Sequence, residues 1–157
     1  MAVVPIDGNV RVTFCSAITT TTAPTTTELN AGTALEGYIT PDGLDIAPTT
    51  GQRDTSNLGS RQNTYKSGRK SFAIKVMFHH ASGTDVPWNL LPYNTDGFLV
   101  VRRGVDATTA WATSDKVEVY PVNTGEPVET KPAPDGNWDF ESPMFVSGDA
   151  ETRAVVA

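Results

Sequence analysis

Cysteine is almost absent from this chain. Cys15 stands alone, so no disulfide can form within one molecule, which fits assembly in a reducing cytosol. Histidine is nearly as scarce, with His79 and His80 adjacent. Neighbours on a strand point to opposite faces, so the two cannot chelate one metal without a bend. No stretch approaches the ~18 apolar residues of a membrane-spanning helix. The segment Met1–Gly8 has neither the basic start nor the sustained apolar run of a secretory signal. A soluble chain is expected. Bases are also few, with 12 Lys and Arg against 18 Asp and Glu, a net charge of −6 and a pI near 4.8. Tight nucleic-acid binding by the bulk surface is thereby disfavoured, because neutralising phosphates needs clustered cations.

Catalytic signatures are missing too. Cys15 lacks any local cysteine-protease pattern and reads as a small strand residue. Asp42-Gly43-Leu44-Asp45 and Asp135-Gly136-Asn137 lack the alternating oxygen ligands of a calcium loop and read as turns. Gly51 and Gly59 match no phosphate-binding glycine motif. Nothing marks a convergent acid–base pair. Trp88, Trp111 and Trp138 could make a sugar-binding platform, but they lie far apart in sequence and core packing is the preferred reading. No enzyme, cofactor or metal site is expected.

What the chain has is threonine, proline and alternation. Its 157 residues suit one domain, with 1–8 and 148–157 as terminal arms. Eleven prolines and heavy threonine use favour strands and loops over helices. Val10, Val12 and Phe14 alternate with Arg11, Thr13 and Cys15 as in a half-buried strand. The threonine tract from Thr19 to Thr27 is an extended linker or an irregular edge. Glu28-Leu29-Asn30-Ala31-Gly32 reads as one or two helical turns, with threonine as cap and Gly32 as a left-handed stop. Leu35–Ile39, a Pro41-Asp42-Gly43 turn and Leu44–Ile46 read as a strand pair.

The clearest strand is 71–80, with Phe72, Ile74, Val76 and Phe78 on one face; His80 shares their parity and reads as a strand-end histidine. Asp85–Leu91 reads as a helix capped by Asp85. Phe98–Arg103 is apolar on both faces and therefore central. Lys116–Tyr120 alternates, Trp138 and Phe140 open a strand interrupted at Pro143, and Thr152–Val156 could be a last short one. The fold class is mainly β: two packed antiparallel sheets, a sandwich or half-barrel, with one or two short flanking helices and a long inter-strand loop.

That loop, 48–70, is almost free of aliphatic residues. Loops of such length are uncommon in compact domains unless they are functional or disordered. It holds five of the twelve bases, Arg53, Arg61, Lys66, Arg69 and Lys70, against Asp54, for a local charge of +4. The other seven bases and seventeen acids leave −10 elsewhere. Nine of the eighteen acids fall between Asp115 and Glu151, where the only bases are Lys116 and Lys131. A basic arm on an acidic body suits a part that docks onto copies of itself.

The order of these elements resembles the tail tube (major tail) subunits of long-tailed bacteriophages. The likeness runs from an N-terminal strand and the Glu28–Gly32 helix through the Tyr38-Ile39…Leu44-Asp45-Ile46 hairpin and the basic loop. It continues with the Phe72–Phe78 strand, the Trp88-Asn89-Leu90-Leu91 helix and the Phe98–Arg103 strand, over about residues 9–147. The resemblance implies hexameric rings in which one sheet per subunit joins a continuous barrel around a lumen. Rings would stack, and the long loop would reach a neighbouring subunit or ring through Arg53, Arg61, Tyr65, Lys66, Arg69 and Lys70. It implies a non-catalytic virion protein, assembled in the host bacterial cytoplasm and without membrane contact. Its implied partners are itself and the tape-measure, tail-terminator and distal-tail proteins, with DNA sliding unbound through an acidic lumen. The alternatives are a capsid-decoration or head–tail adaptor protein, equally β-rich and acidic, and a carbohydrate-binding sandwich with exposed tryptophans.

Overall fold

The alternation of Val10–Cys15 does form a strand, and it lies near one end of a sheet that holds most of the chain. The structure is a computed structural model describing residues 1–157. In chain order the elements are β1 (Val10–Cys15), α1 (Thr26–Ala31), β2 (Thr33–Ala34), β3 (Ile39–Asp54), β4 (Tyr65–His79) and α2 (Val86–Leu90). They are followed by β5 (Asp96–Arg103), β6 (Lys116–Thr124), β7 (Val128–Glu129), β8 (Asp139–Val146) and β9 (Glu151–Val155). All nine strands pair antiparallel in the order β2-β1-β5-β6-β8-β4-β3, with β7 added to β8 and β9 to β6. The fold is mainly β with two short helices, as expected, and the sheet does not close into a barrel.

The two layers are the two ends of this one sheet, folded over at β6. The start of β6 pairs with β9 through Lys116, Val117 and Val119, and its end pairs with β8 through Val122–Thr124. Folding brings Val12, Phe14, Leu99, Val101, Tyr120 and Val122 of one layer against Ile74, Val76, Phe78, Phe140 and Met144 of the other. Phe72 and Tyr120 meet edge to face across the join, 5.5 Å between ring centres. A second cluster lies on the far side of β1, β5 and β6, where Cys15, Val100, Val117 and Val119 are covered by Leu29 of α1 and Ala154 of β9. Hence β5 is apolar on both faces, as its sequence requires.

Local chemistry explains α1. Thr25 accepts from the Glu28 N–H, and Glu28 accepts in return from the Thr25 N–H, a reciprocal capping box. Glu28 also accepts from the Thr19 N–H at 2.6 Å, tying the threonine tract to the helix start. That tract runs as an irregular edge beside β9: Val155 donates to the Thr22 carbonyl and Ala157 to that of Pro24. Gly32 is extended, at φ −75° and ψ 169°, where a left-handed stop was expected. Its need for glycine is steric, since a Cβ there would lie 2.6 Å from Thr13 Cγ2 and 2.7 Å from Cys15 Sγ.

Three further expectations change. Pro41-Asp42-Gly43 is no hairpin turn. It is a bulge within β3, which pairs Ile39 with Phe78 and then Leu44 with Val76, leaving residues 40–43 opposite Met77. A bulge keeps the strand direction and re-aims its side chains. The second change is at 48–70, most of which is strand. Pairing continues from Pro48↔Phe72 to Asp54↔Tyr65, and only 55–64 connect the two. A two-stranded ladder needs backbone hydrogen bonds more than apolar side chains, so the polar run did not exclude it. The third is Pro143, which does not interrupt β8. Its carbonyl accepts from Gly125, so the missing N–H, on the same side of the strand, faces that loop and spares the β4 ladder. The segment 148–157 contains β9, with Ala154 and Val156 buried, while 1–8 forms no strand or helix and is exposed.

Beyond β5, the chain returns to β6 through a connection held by Arg102. This side chain is 1% exposed and donates to the carbonyls of Asp106, Thr109 and Ala110 and to Asp115 Oδ2. Its guanidinium and that of Arg11 each lie 4.9 Å from the ring centre of Trp111, which is buried.

Candidate assembly surface

Past Ala47 and Ala73, β3 and β4 leave the body and project as a hairpin whose residues 49–71 are exposed almost throughout. Seven residues of β3, Pro48–Asp54, carry it roughly 20 Å outward at strand rise before the turn begins. A bulge sets Gly51 against Gly68 and Arg69, between Thr50↔Lys70 and Gln52↔Ser67. A Cβ on Gly68 would lie 3.2 Å from the Gly51 backbone, so the bulge leaves little room for a side chain there.

The tip supplies its own hydrogen bonds. Thr55 donates to the Thr64 carbonyl, Thr64 N–H to Ser56 Oγ at 2.8 Å, and Gly59 N–H to Asn57 Oδ1. Ser56 donates to Asp54 Oδ1 and, with its hydroxyl, holds that carboxyl below its ordinary pKa. The serine, threonine and asparagine density read from sequence as loop chemistry is therefore turn chemistry.

All of the sequence-predicted assembly residues lie on this hairpin. Arg53 stands directly opposite Lys66, Tyr65 opposite Asp54 and Lys70 opposite Thr50; Arg69 is in the bulge and Arg61 in the turn. Like charges directly across a ladder destabilise it. None of the five bases is in an ion pair; the lysines and arginines that are paired are Lys75, Arg102 and Arg103. The hairpin thus presents unneutralised positive charge, with the fully exposed Leu58 at its tip.

The acidic body is partly self-neutralised. Of the nine acids from Asp115 to Glu151, Asp115, Glu118 and Glu141 face a lysine or arginine of the same chain, while Glu129 and Asp139 face a histidine. Glu126, Asp135, Asp149 and Glu151 face neither.

Sequence reasoning missed one polar cluster. His80 is buried beside Trp138, whose ring stacks on it at 3.9 Å, and beside Trp88 and Phe140. Its Nδ1 faces Asp85 and its Nε2 faces Glu129, which also accepts from Trp138 Nε1. The cluster clasps the connection between β7 and β8 to the start of α2, and both ring nitrogens are engaged. His79 turns the other way, to Asp139. Trp88 and Trp138 were expected in the core, yet they are 36% and 66% exposed. The interior beside them is filled by Phe78 and Phe140, which stack at 5.4 Å. Among the three tryptophans, Trp111 alone is buried. No three His, Cys, Asp or Glu side chains converge as a metal site, and no helix is long and apolar enough to cross a membrane.

A projecting hairpin with unpaired bases, and a sheet with open edges at β2 and β3, are features of a subunit built to meet another chain. Comparison with known proteins agrees with that architecture. A chain in the cryo-EM structure of the anti-feeding prophage (AFP) baseplate, 6-fold symmetrised, superposes with a TM-score of 0.61 at 6% sequence identity, over 96% of each chain. At that identity the likeness speaks for the fold. No curated protein matches the chain by sequence. The family model described as Phage tail tube protein matches residues 1–157, and the chain belongs to that family.

Proposed function

We propose that this protein is a tail tube subunit whose copies close into hexameric rings and stack into a tube, the lumen of which conducts DNA into the host. The observation that carries this reading is the β3–β4 hairpin: five bases against the single Asp54, none of them in an ion pair, and a like-charge pair at Arg53 and Lys66. Such an arrangement is compensated when acidic groups of another copy come between the like charges. A basic end meeting an acidic end is a heterologous contact, which propagates without closing. The open sheet edges supply the lateral contact, since joining copies edge to edge satisfies their free backbone groups.

The body without the hairpin carries −10. A lumen lined from such a surface repels phosphates, so DNA slides through without being held. No step of bond making or breaking belongs to this function. Family membership favours a structural role, with assembly in the host cytoplasm, residence in the virion tail, and contacts to tape-measure, tail-terminator and distal-tail proteins at the tube's core and ends.

Sedimentation and negative-stain microscopy test the proposal directly. Wild-type protein should form rings or tubes; a strict monomer at high concentration in every salt condition refutes self-assembly. Each exposed ion pair contributes only ~0–1 kcal/mol, so a single Arg61→Ala change should be tolerated. Changing Arg53, Arg61, Lys66, Arg69 and Lys70 together to Glu imposes repulsion at every subunit, and should leave rings while abolishing tubes. Normal tubes from that variant would show that the hairpin does not dock through its charge.

A further inference from the structure

A groove of about 450 Å³ opens between the N-terminal segment and the start of β3. Val10, Val12, Ile39 and Leu44 give it an apolar floor, and Asp7, Glu36 and Asp42 stand around it. None of these three carboxylates is in an ion pair. The one base at the groove, Arg103, is already engaged by Glu118 at 3.1 Å. The bulge at residues 40–43 shapes one wall: it breaks the β3–β4 register between Ile39 and Leu44 and brings Pro41 and Asp42 to the groove.

The groove's complement exists on the same chain, at the other end of the same strand. The hairpin tip offers a fully exposed leucine, Leu58, between Arg53 and Arg61. Ten residues separate Leu44 from Asp54, roughly 30 Å at strand rise, so a tip cannot fold back into its own groove. The tip of a second copy can reach it.

Resting on the tube reading above, we propose that Leu58 of one copy seats in the groove floored by Val10, Val12, Ile39 and Leu44 of the next, with Arg53 and Arg61 meeting Asp7, Glu36 and Asp42. Socket and plug at opposite ends of β3 make a head-to-tail contact that repeats along the tube axis. The apolar seat fixes register, while the charges, exposed and salt-sensitive, steer the encounter.

Cysteine pairing tests this. Gly37 lies at the groove, and a Cβ there meets nothing within 4 Å, so Gly37→Cys should fold, as should Leu58→Cys at the exposed tip. Cys15 is buried and contributes no background. Tubes of the double variant, treated with oxidised glutathione, should give a ladder of trimers and higher species on a non-reducing gel, because each subunit carries one plug and one socket. Either single variant should give dimers at most. Tubes without a ladder overturn the socket and leave the tube reading standing; wild type that makes no tubes overturns both. A ladder from Val4→Cys with Gly37→Cys, in place of the tip pair, would make the N-terminal segment the occupant and refute the proposal. As a second arm, Asp7→Lys, Glu36→Lys and Asp42→Lys together should abolish stacking, and adding Arg53→Glu and Arg61→Glu should restore it. Failure to restore stacking in protein shown to be folded by circular dichroism overturns the charge pairing.

Discussion

Replacing Arg102 with methionine should be among the most destabilising single changes in this protein. The side chain lies inside the molecule, at 1% exposure, and makes four hydrogen bonds of 2.7–3.1 Å to three carbonyls and Asp115. Methionine keeps the apolar stem and the volume of the site, so the loss isolates the guanidinium. Hydrogen bonds to a charged group are worth ~1.5–3 kcal/mol each, but they do not add when they share one donor group. The better guide is that removing one member of a buried ion pair costs about 3–5 kcal/mol. Asp115, which also accepts from Ala112 N–H, would be left with no cation beside it. Against a total of roughly 5–15 kcal/mol, this is a large fraction. For a chain of this size it corresponds to a fall in Tm of roughly 6–20 °C, at about 2–4 °C per kcal/mol. Arg102→Lys should lie between, since an ammonium cannot span the acceptors that the guanidinium fork reaches. Urea unfolding of unassembled protein, followed by circular dichroism, reads the change through the midpoint at unchanged m-value. A loss of less than ~1 kcal/mol for Arg102→Met would refute the view that this residue secures the β5–β6 connection.

Two further outcomes follow from the helix α1 region. Burial, and then the Glu28 charge, push the Cys15 thiol up to about 11, so little thiolate exists at neutral pH. Native protein should resist alkylation by iodoacetamide at pH 7.5 and react fully in urea; fast native labelling would place Cys15 at a surface. The Thr19 and Thr25 backbone N–H groups, with smaller help from their side chains, hold the Glu28 carboxyl below its ordinary pKa. A carboxyl lowered on folding contributes stability above its unfolded pKa, and that contribution is lost as pH falls through the folded value. Wild type should therefore lose stability across that acid window, and Glu28→Gln should flatten this part of the profile. An unchanged acid limb would show that the capping box does not couple to folding.

The sequence by itself determined which faces are apolar and where short-range chemistry closes a turn. Val12 and Phe14, Ile74 to Phe78, and Leu99 to Val101 point inward because residues two apart share a strand face whatever the partner strand. Thr25 and Glu28 cap α1 because both atoms belong to one helical turn. Charge was equally legible, so the five bases from Arg53 to Lys70 stood out before any strand was paired. What only the tertiary structure decided depends on which segment comes to lie beside which. Pro41–Gly43 reads as a turn, but it is a bulge because the strand beyond it still has β4 to pair with. The run 48–70 reads as a loop because its pattern has no apolar side; a two-stranded ladder outside the body needs none. Arg102 is buried because the loop 106–110 closes over it with carbonyls, a partnership between residues with no shared periodicity. Trp138 is exposed and Trp111 buried for the same reason: hydrophobicity says that a side chain gains by leaving water, and only packing says which ones find room. The groove beside β3 belongs to this second class, being made of segments that alternation describes singly and only the folded chain sets side by side.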